Sequence, residues 1–276
     1  MKNKLILTVL FFFFLIFGFY GCNDTEELKV GDIEELKAEA TEEETSDSNA
    51  KGLDFSEKWE AKDKFEFPDL SGMTDWERPN IIQERLDALQ MPEAALKIST
   101  EGLLETCLDF PYLLDISFFD DYQKGFNAVV AKFNGFRELL KRPDLSKALL
   151  TKYYWMISDF EKMKTLSPVE QGYYAIQLFV VEFMLAQDIV FKNLNKEQED
   201  VLFLLVFESN EIKKDKYIFS SRNDMSEYLL YAKKVIKDNA ADKYANEISE
   251  FIKAPRTLLR QDIVKYLGDY IITKYK

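Results

Sequence analysis

Residues 167–186 read SPVEQGYYAIQLFVVEFMLA. Ser167, Pro168 and Glu170 make the strongest helix start in the chain. Ser167 takes the N-cap, proline takes the first helical position, and the glutamate is placed to close a capping box. From Tyr173 to Ala186 the stretch is apolar nearly all round, interrupted by Gln177 and Glu182. A helix with no polar face belongs in the middle of a bundle. This one is too short and too polar to span a membrane. The chain around it is therefore expected to be all-α.

Helical patterning extends in both directions from this centre. Upstream, Pro79 opens Ile81–Leu89, and Met91-Pro92-Glu93 starts a short helix ending at Lys97. Ser99 caps Thr100–Phe110, and Asp120 or Asp121 opens a helix through Phe126, Val129, Val130 and Phe133. The pattern continues from Phe133 to Arg142, and Asp144 then caps Leu145–Ile157. Downstream, Val201–Phe207 is an apolar run that periodicity alone cannot assign. The acidic turn from Asn195 to Asp200 before it favours helix. Asn223–Lys237, Ala241–Lys253 and Pro255–Tyr275 complete the set. With no strand alternation and no internal repeat, the expected fold is an irregular multi-helix bundle or helical array of about nine to ten helices.

The N-terminus is built differently. Lys2 and Lys4 precede an uncharged, mainly apolar run from Leu5 to Tyr20, and Gly21 and Cys22 follow. A charged start, an apolar run shorter than a membrane span and a small residue before the cut describe a secretory signal. Phe19-Tyr20-Gly21-Cys22 resembles the lipobox of bacterial lipoproteins, in the looser form of Bacteroidetes-type envelope lipoproteins. Gly21 and Cys22 match its pattern, while Phe19 and Tyr20 depart from it. The resemblance covers the first 27 residues or so. It implies a signal peptide over 1–21, cleavage before Cys22 and lipidation of that cysteine. It further implies a cell-envelope location, with the outer membrane expected and the surface or periplasmic face open.

Residues 22–50 read as a disordered acidic tether behind the lipidated cysteine. From 23 to 50 there are eleven carboxylates against Lys29 and Lys37, and such a segment buries too little to fold alone. Residues 51–75, with Phe55, Trp59, Phe65 and Phe67, read as an aromatic-rich extended arm. Residues 76–276 read as the helical domain.

Composition narrows the chemistry. The chain has no histidine, which removes Ser-His-Asp and Cys-His sites and the usual histidine-containing zinc sites. A net charge of −13 disfavours nucleic acid as a partner. No phosphate loop, nucleophile elbow or Cys-x-x-Cys pair is present, and no cofactor or metal is expected. With Cys22 lipidated, Cys107 is the sole remaining thiol and reads as a small core residue. Adjacent Asp120 and Asp121, near Asp115, read as helix-capping groups before they read as a metal site.

Two features point to binding. Glu182 lies in an apolar stretch, and a buried carboxylate requires a partner or a shifted pKa. Tyr153-Tyr154-Trp155 and Tyr173-Tyr174 are the densest tyrosine and tryptophan clusters, suited to stacking on sugar rings or to packing in the core. These readings describe a membrane-tethered, non-enzymatic binding or scaffold lipoprotein with an envelope protein, peptide or glycan as partner. The alternative is a carboxylate-only glycan-cleaving hydrolase or a surface glycan-binding protein.

Overall fold

A computed structural model describes residues 53, 55–56, 58–75, 80–214, 224–256 and 259–275. Among them are twelve α-helices and no strand, so the fold is all-α. The helices are α1 (Ile81–Ala88), α2 (Thr100–Leu108), α3 (Tyr122–Lys132), α4 (Asn134–Leu139), α5 (Leu145–Ser158) and α6 (Phe160–Met163). They continue with α7 (Pro168–Leu185), α8 (Asp188–Phe191), α9 (Lys196–Lys213), α10 (Asp224–Lys237), α11 (Ala245–Lys253) and α12 (Gln261–Tyr275). The expected signal peptide and the expected tether with Cys22 lie outside the described residues.

The centre is built on α7. Its capping box closes as the sequence dictates: Glu170 N–H donates to Ser167 Oγ, and Ser167 N–H donates to Glu170 Oε2 at 2.8 Å. Leu178 to Leu185 are all buried. α7 packs on α5 and α10, and α9 packs on α5, α10 and α12. α9 and α10 run antiparallel, since Lys213 meets Glu227 at one end and Glu199 meets Lys234 and Lys237 at the other. The second capping box, Asn195 with Gln198, starts α9 and settles Val201–Phe207 as helix.

Several boundaries differ from the sequence expectation, each for a tertiary reason. The helix expected to run on through Phe133 breaks there, at φ −136° and ψ 120°. Gln90 takes up the backbone groups freed by the break: its amide donates to Lys132 C=O at 2.8 Å and accepts from Asn134 N–H at 3.0 Å. The break turns the Phe133 ring onto Phe110, stacked at 4.7 Å, and onto Phe67 at 5.3 Å. A Cβ on Gly135 would sit 2.4 Å from that ring, so the turn needs glycine. The last helix starts at Gln261 and not at Pro255, whose carbonyl accepts from Tyr122 N–H at 3.0 Å. The segment after Met91 makes one 3₁₀ turn, Ala95–Lys97. The 3₁₀ turn Leu113–Phe118 and the short helices α6 and α8 have no counterpart in the periodicity reading.

Residues 58–75 form no helix and lie against α2 and α5. Phe55 stacks on Tyr154 at 4.3 Å. Trp59 Nε1 donates to Glu105, Lys64 pairs with Asp109 at 2.6 Å, and Phe65 N–H donates to Thr106 Oγ1 at 3.0 Å. Asp63 accepts from Ser99 N–H at 2.7 Å and from its hydroxyl at 2.6 Å, bonds that hold its carboxyl below the usual range. Gly102 makes room for this contact, since a Cβ there would lie 2.2 Å from Asp63 Oδ1 and 3.2 Å from the Asp63 carbonyl carbon. Gly102→Ala adds about 1 kcal/mol of helix propensity to α2 while pushing the arm off. The expected result is faster tryptic cleavage at Lys58, Lys62 and Lys64 with no fall in the denaturation midpoint of the helical core. Unchanged cleavage would show that the arm does not depend on this contact.

Candidate functional site

Glu182 sits in the middle of the apolar face of α7 and is fully buried. Three helices aim four donors at its carboxylate. Tyr153 Oη on α5 reaches Oε1 at 2.7 Å, and Ser209 Oγ on α9 reaches it at 2.8 Å. Lys213 Nζ on α9 reaches Oε2 at 2.6 Å, and Ser226 Oγ on α10 reaches it at 2.5 Å. The ammonium and three hydroxyls fill the acceptor sites that an isolated buried carboxylate would leave empty.

A second carboxylate completes the cluster. Glu227, in the first turn of α10, accepts from Asn210 Nδ2 at 2.6 Å and from the Tyr231 hydroxyl. Its Oε2 lies 3.9 Å from Lys213 Nζ. Glu182, Glu227 and Lys213 are 0%, 1% and 2% exposed. Burial pushes the Glu227 carboxyl up to about 6, with Glu182 adding to the rise while Lys213 and Asn210 oppose it. Burial also raises the Tyr153 and Tyr231 phenols, and the nearby glutamates raise them further, so both stay protonated as donors.

A second ionic network ties α9 to α10 and α12. Glu199 accepts from Lys234 and, at 2.5 Å, from Lys237. Asp238 accepts from Lys234 at 2.7 Å, from the Tyr270 hydroxyl at 2.5 Å and from Lys274. Burial works against ionisation of Asp238, but Lys234, Lys274 and Tyr270 outweigh it and hold the carboxyl down at about 2.

The candidates named from the sequence divide into two groups. Tyr153 and Glu182 meet each other, but both are fully buried. That corrects the reading of Tyr153 as part of an exposed stacking platform, because no ring face is left for a sugar. Tyr154 and Trp155 are half-buried and lie edge to face at 5.4 Å, and the free face of Tyr154 is taken by Phe55. Cys107 is buried, and desolvation raises its thiol well above the usual value. Asp121 caps α3 by accepting from Gln123 and Lys124 N–H, and Asp115 pairs with Lys132 at 2.6 Å.

Sequence reading missed Lys213, Glu227, Ser209, Ser226 and Asn210. A signal was present: Leu202, Val206, Ser209 and Lys213 fall on one stripe of α9, so Lys213 occupies a core position. No protein-family model, curated protein or solved structure matches this chain.

Among the described residues, Lys213 is the one cation between two sealed carboxylates. Lys213→Met is expected to cost about 3–5 kcal/mol. Adding Glu182→Gln removes the stranded charge and recovers part of that loss, a coupling of about 0.5–3 kcal/mol. Urea unfolding of the two single variants and the double measures it. Strict additivity would mean that the pair does not act as a unit.

Proposed function

We propose that this protein is a lipid-anchored envelope lipoprotein whose helical domain binds or scaffolds a partner and performs no catalysis. The carrying observation is the N-terminal sequence: Lys2 and Lys4, the apolar run to Tyr20, then Gly21-Cys22 and the acidic stretch to residue 50. Several acyl chains on Cys22 would give an anchor of about 0.8 kcal/mol per buried CH₂.

The character of the domain supports a binding role. The Glu182 carboxylate cluster is sealed among four helices, and its members spend their hydrogen bonds on one another. The bulky apolar side chains left in solvent include three from a single turn and its cap: Leu114, Phe118 and Phe119, with Phe118 67% exposed. Clustered exposed apolar groups favour a protein partner over a sugar. Among the described residues, no helix is long and apolar enough to cross a membrane.

Membrane fractionation with Cys22→Ala tests the anchor. The wild type is expected in the membrane fraction, and the variant is expected to leave it. If Cys22→Ala stays membrane-bound, the N-terminal apolar run is itself the anchor and the lipoprotein reading fails. Protease treatment of intact cells then assigns the face: digestion means surface exposure, and protection until the outer membrane is opened means periplasmic. For the partner, a photo-crosslinking residue at position 118 is expected to give a discrete protein adduct in the anchored form. Adducts at exposed Ile272 but none at position 118 would remove the Phe118 turn as the contact face.

A further inference from the structure

The Glu182 cluster is unbalanced in two ways. Among the described residues it holds two carboxylates and one ammonium, all nearly inaccessible to water. Its donors are also shared unequally. Glu182 takes Tyr153, Ser209, Ser226 and the close contact with Lys213. Glu227 has Asn210, Tyr231 and a Lys213 ammonium 3.9 Å away. A second full negative charge in this space faces the first with little left to neutralise it. Glu227 lies in the first turn of α10, and Lys213 is the last residue of α9. The imbalance therefore falls at one end of the antiparallel α9–α10 pair.

We infer that this end of the α9–α10 pair is a proton-linked clasp, closed with a proton on Glu227 and loosened when that proton leaves. In the closed state the proton lets the Glu227 carboxyl serve as donor as well as acceptor, and the ammonium belongs to Glu182 alone. Loss of the proton sets two carboxylates against one lysine. The strain is relieved by drawing the first turns of α10 away from α7 and α9, which exposes Glu227 to water.

Among the described residues, the groups facing Glu227 are Lys213 and Asn210 from α9, Glu182 from α7, Tyr153 from α5, and Tyr231 and Tyr228 from α10 itself. α11 and α12 also pack on α10, but their charges are engaged elsewhere. Glu250 pairs with Lys253, Glu247 and Asp262 with Arg260, Lys265 with Asp269, and Lys274 with Asp238.

The sign follows from linkage. Glu227 titrates near 6 when closed, against an ordinary value of 4.5. The closed state thus binds the extra proton, and its advantage is complete below about 4.5. That advantage falls as pH rises through 6, by roughly 30-fold in the closed-to-open ratio. Asp188 and Asp238 act in another window. Burial opposes their ionisation, their lysine partners hold both at about 2, and their contribution is lost only as pH falls below 3.8.

The test is hydrogen exchange of the full chain in detergent micelles between pH 4.5 and 7.5, corrected for intrinsic exchange. Protection of residues 224–231 is expected to fall by roughly 15-fold across the window, while the core of α5 changes much less. Glu227→Gln, which imitates the protonated carboxyl, is expected to hold protection high and level. A second measurement is the infrared difference spectrum between the wild type and Glu227→Gln, which cancels the ordinary carboxyls. A protonated-carboxyl band present at pH 5 and gone by pH 7.5 is expected in it. The clasp is overturned if wild-type protection at 224–231 is level with pH, if Glu227→Gln keeps the wild-type slope, or if no such band titrates.

Discussion

A carboxylate in the most apolar helix constrains the rest of this molecule. Glu182 lies between Val181 and Phe183, both fully buried, and leaving it there unpaired would cost several kcal/mol. The fold answers by bringing Tyr153 from α5, Ser209 and Lys213 from α9, and Ser226 from α10 to its two oxygens. Each bond is directional, so each fixes a helix in rotation and register as well as in position. Apolar packing alone tolerates sliding of one helix past another. A carboxylate with four assigned donors does not. The second network, around Glu199 and Asp238, does the same for α9, α10 and α12 at the opposite end of the α9–α10 pair.

The two networks differ in their charge balance. At Glu199 and Asp238 there are three lysines for two carboxylates, and both carboxyls lie below their ordinary values. At Glu182 and Glu227 the described residues supply one lysine for two carboxylates, and Glu227 lies above. The first arrangement fastens the helices at all but acidic pH. The second keeps one charge on the margin in the ordinary working range. The difference comes from the ratio of cations to carboxylates among the described residues and from burial, since Lys237 and Lys274 reach solvent while the Glu182 cluster is sealed.

The arm links the N-terminal part of the chain to this core. Phe55, Trp59, Lys64, Phe65 and Phe67 each meet a named partner on α2, α5 or the Phe110–Phe133 stack. If Cys22 is acylated as proposed, this is the route by which the anchor is joined to the helical domain. The fit depends on small details, such as the missing side chain at Gly102 beneath Asp63.

Some of this was legible in the residues alone. The start of α7 is local chemistry among Ser167, Pro168 and Glu170, and the start of α9 is local to Asn195 and Gln198. Helix type follows from periodicity, because a helix must turn one face inward along its length. The unusual state of Glu182 was legible too, as a charge in an apolar stretch. Sequence alone did not contain the identity of its partners, which lie 27 to 44 residues away, because their meeting depends on how four helices cross. The break at Phe133 is of the same kind: Gln90, 44 residues before Asn134, supplies the bonds that make it affordable. Tyr153 shows the limit most plainly. Its ring looks the same in sequence whether it faces solvent or core, and only the packing of α5 against α7 turned it inward. Local hydrogen bonding and periodicity determined the elements; long-range pairing of buried charges determined how they assemble.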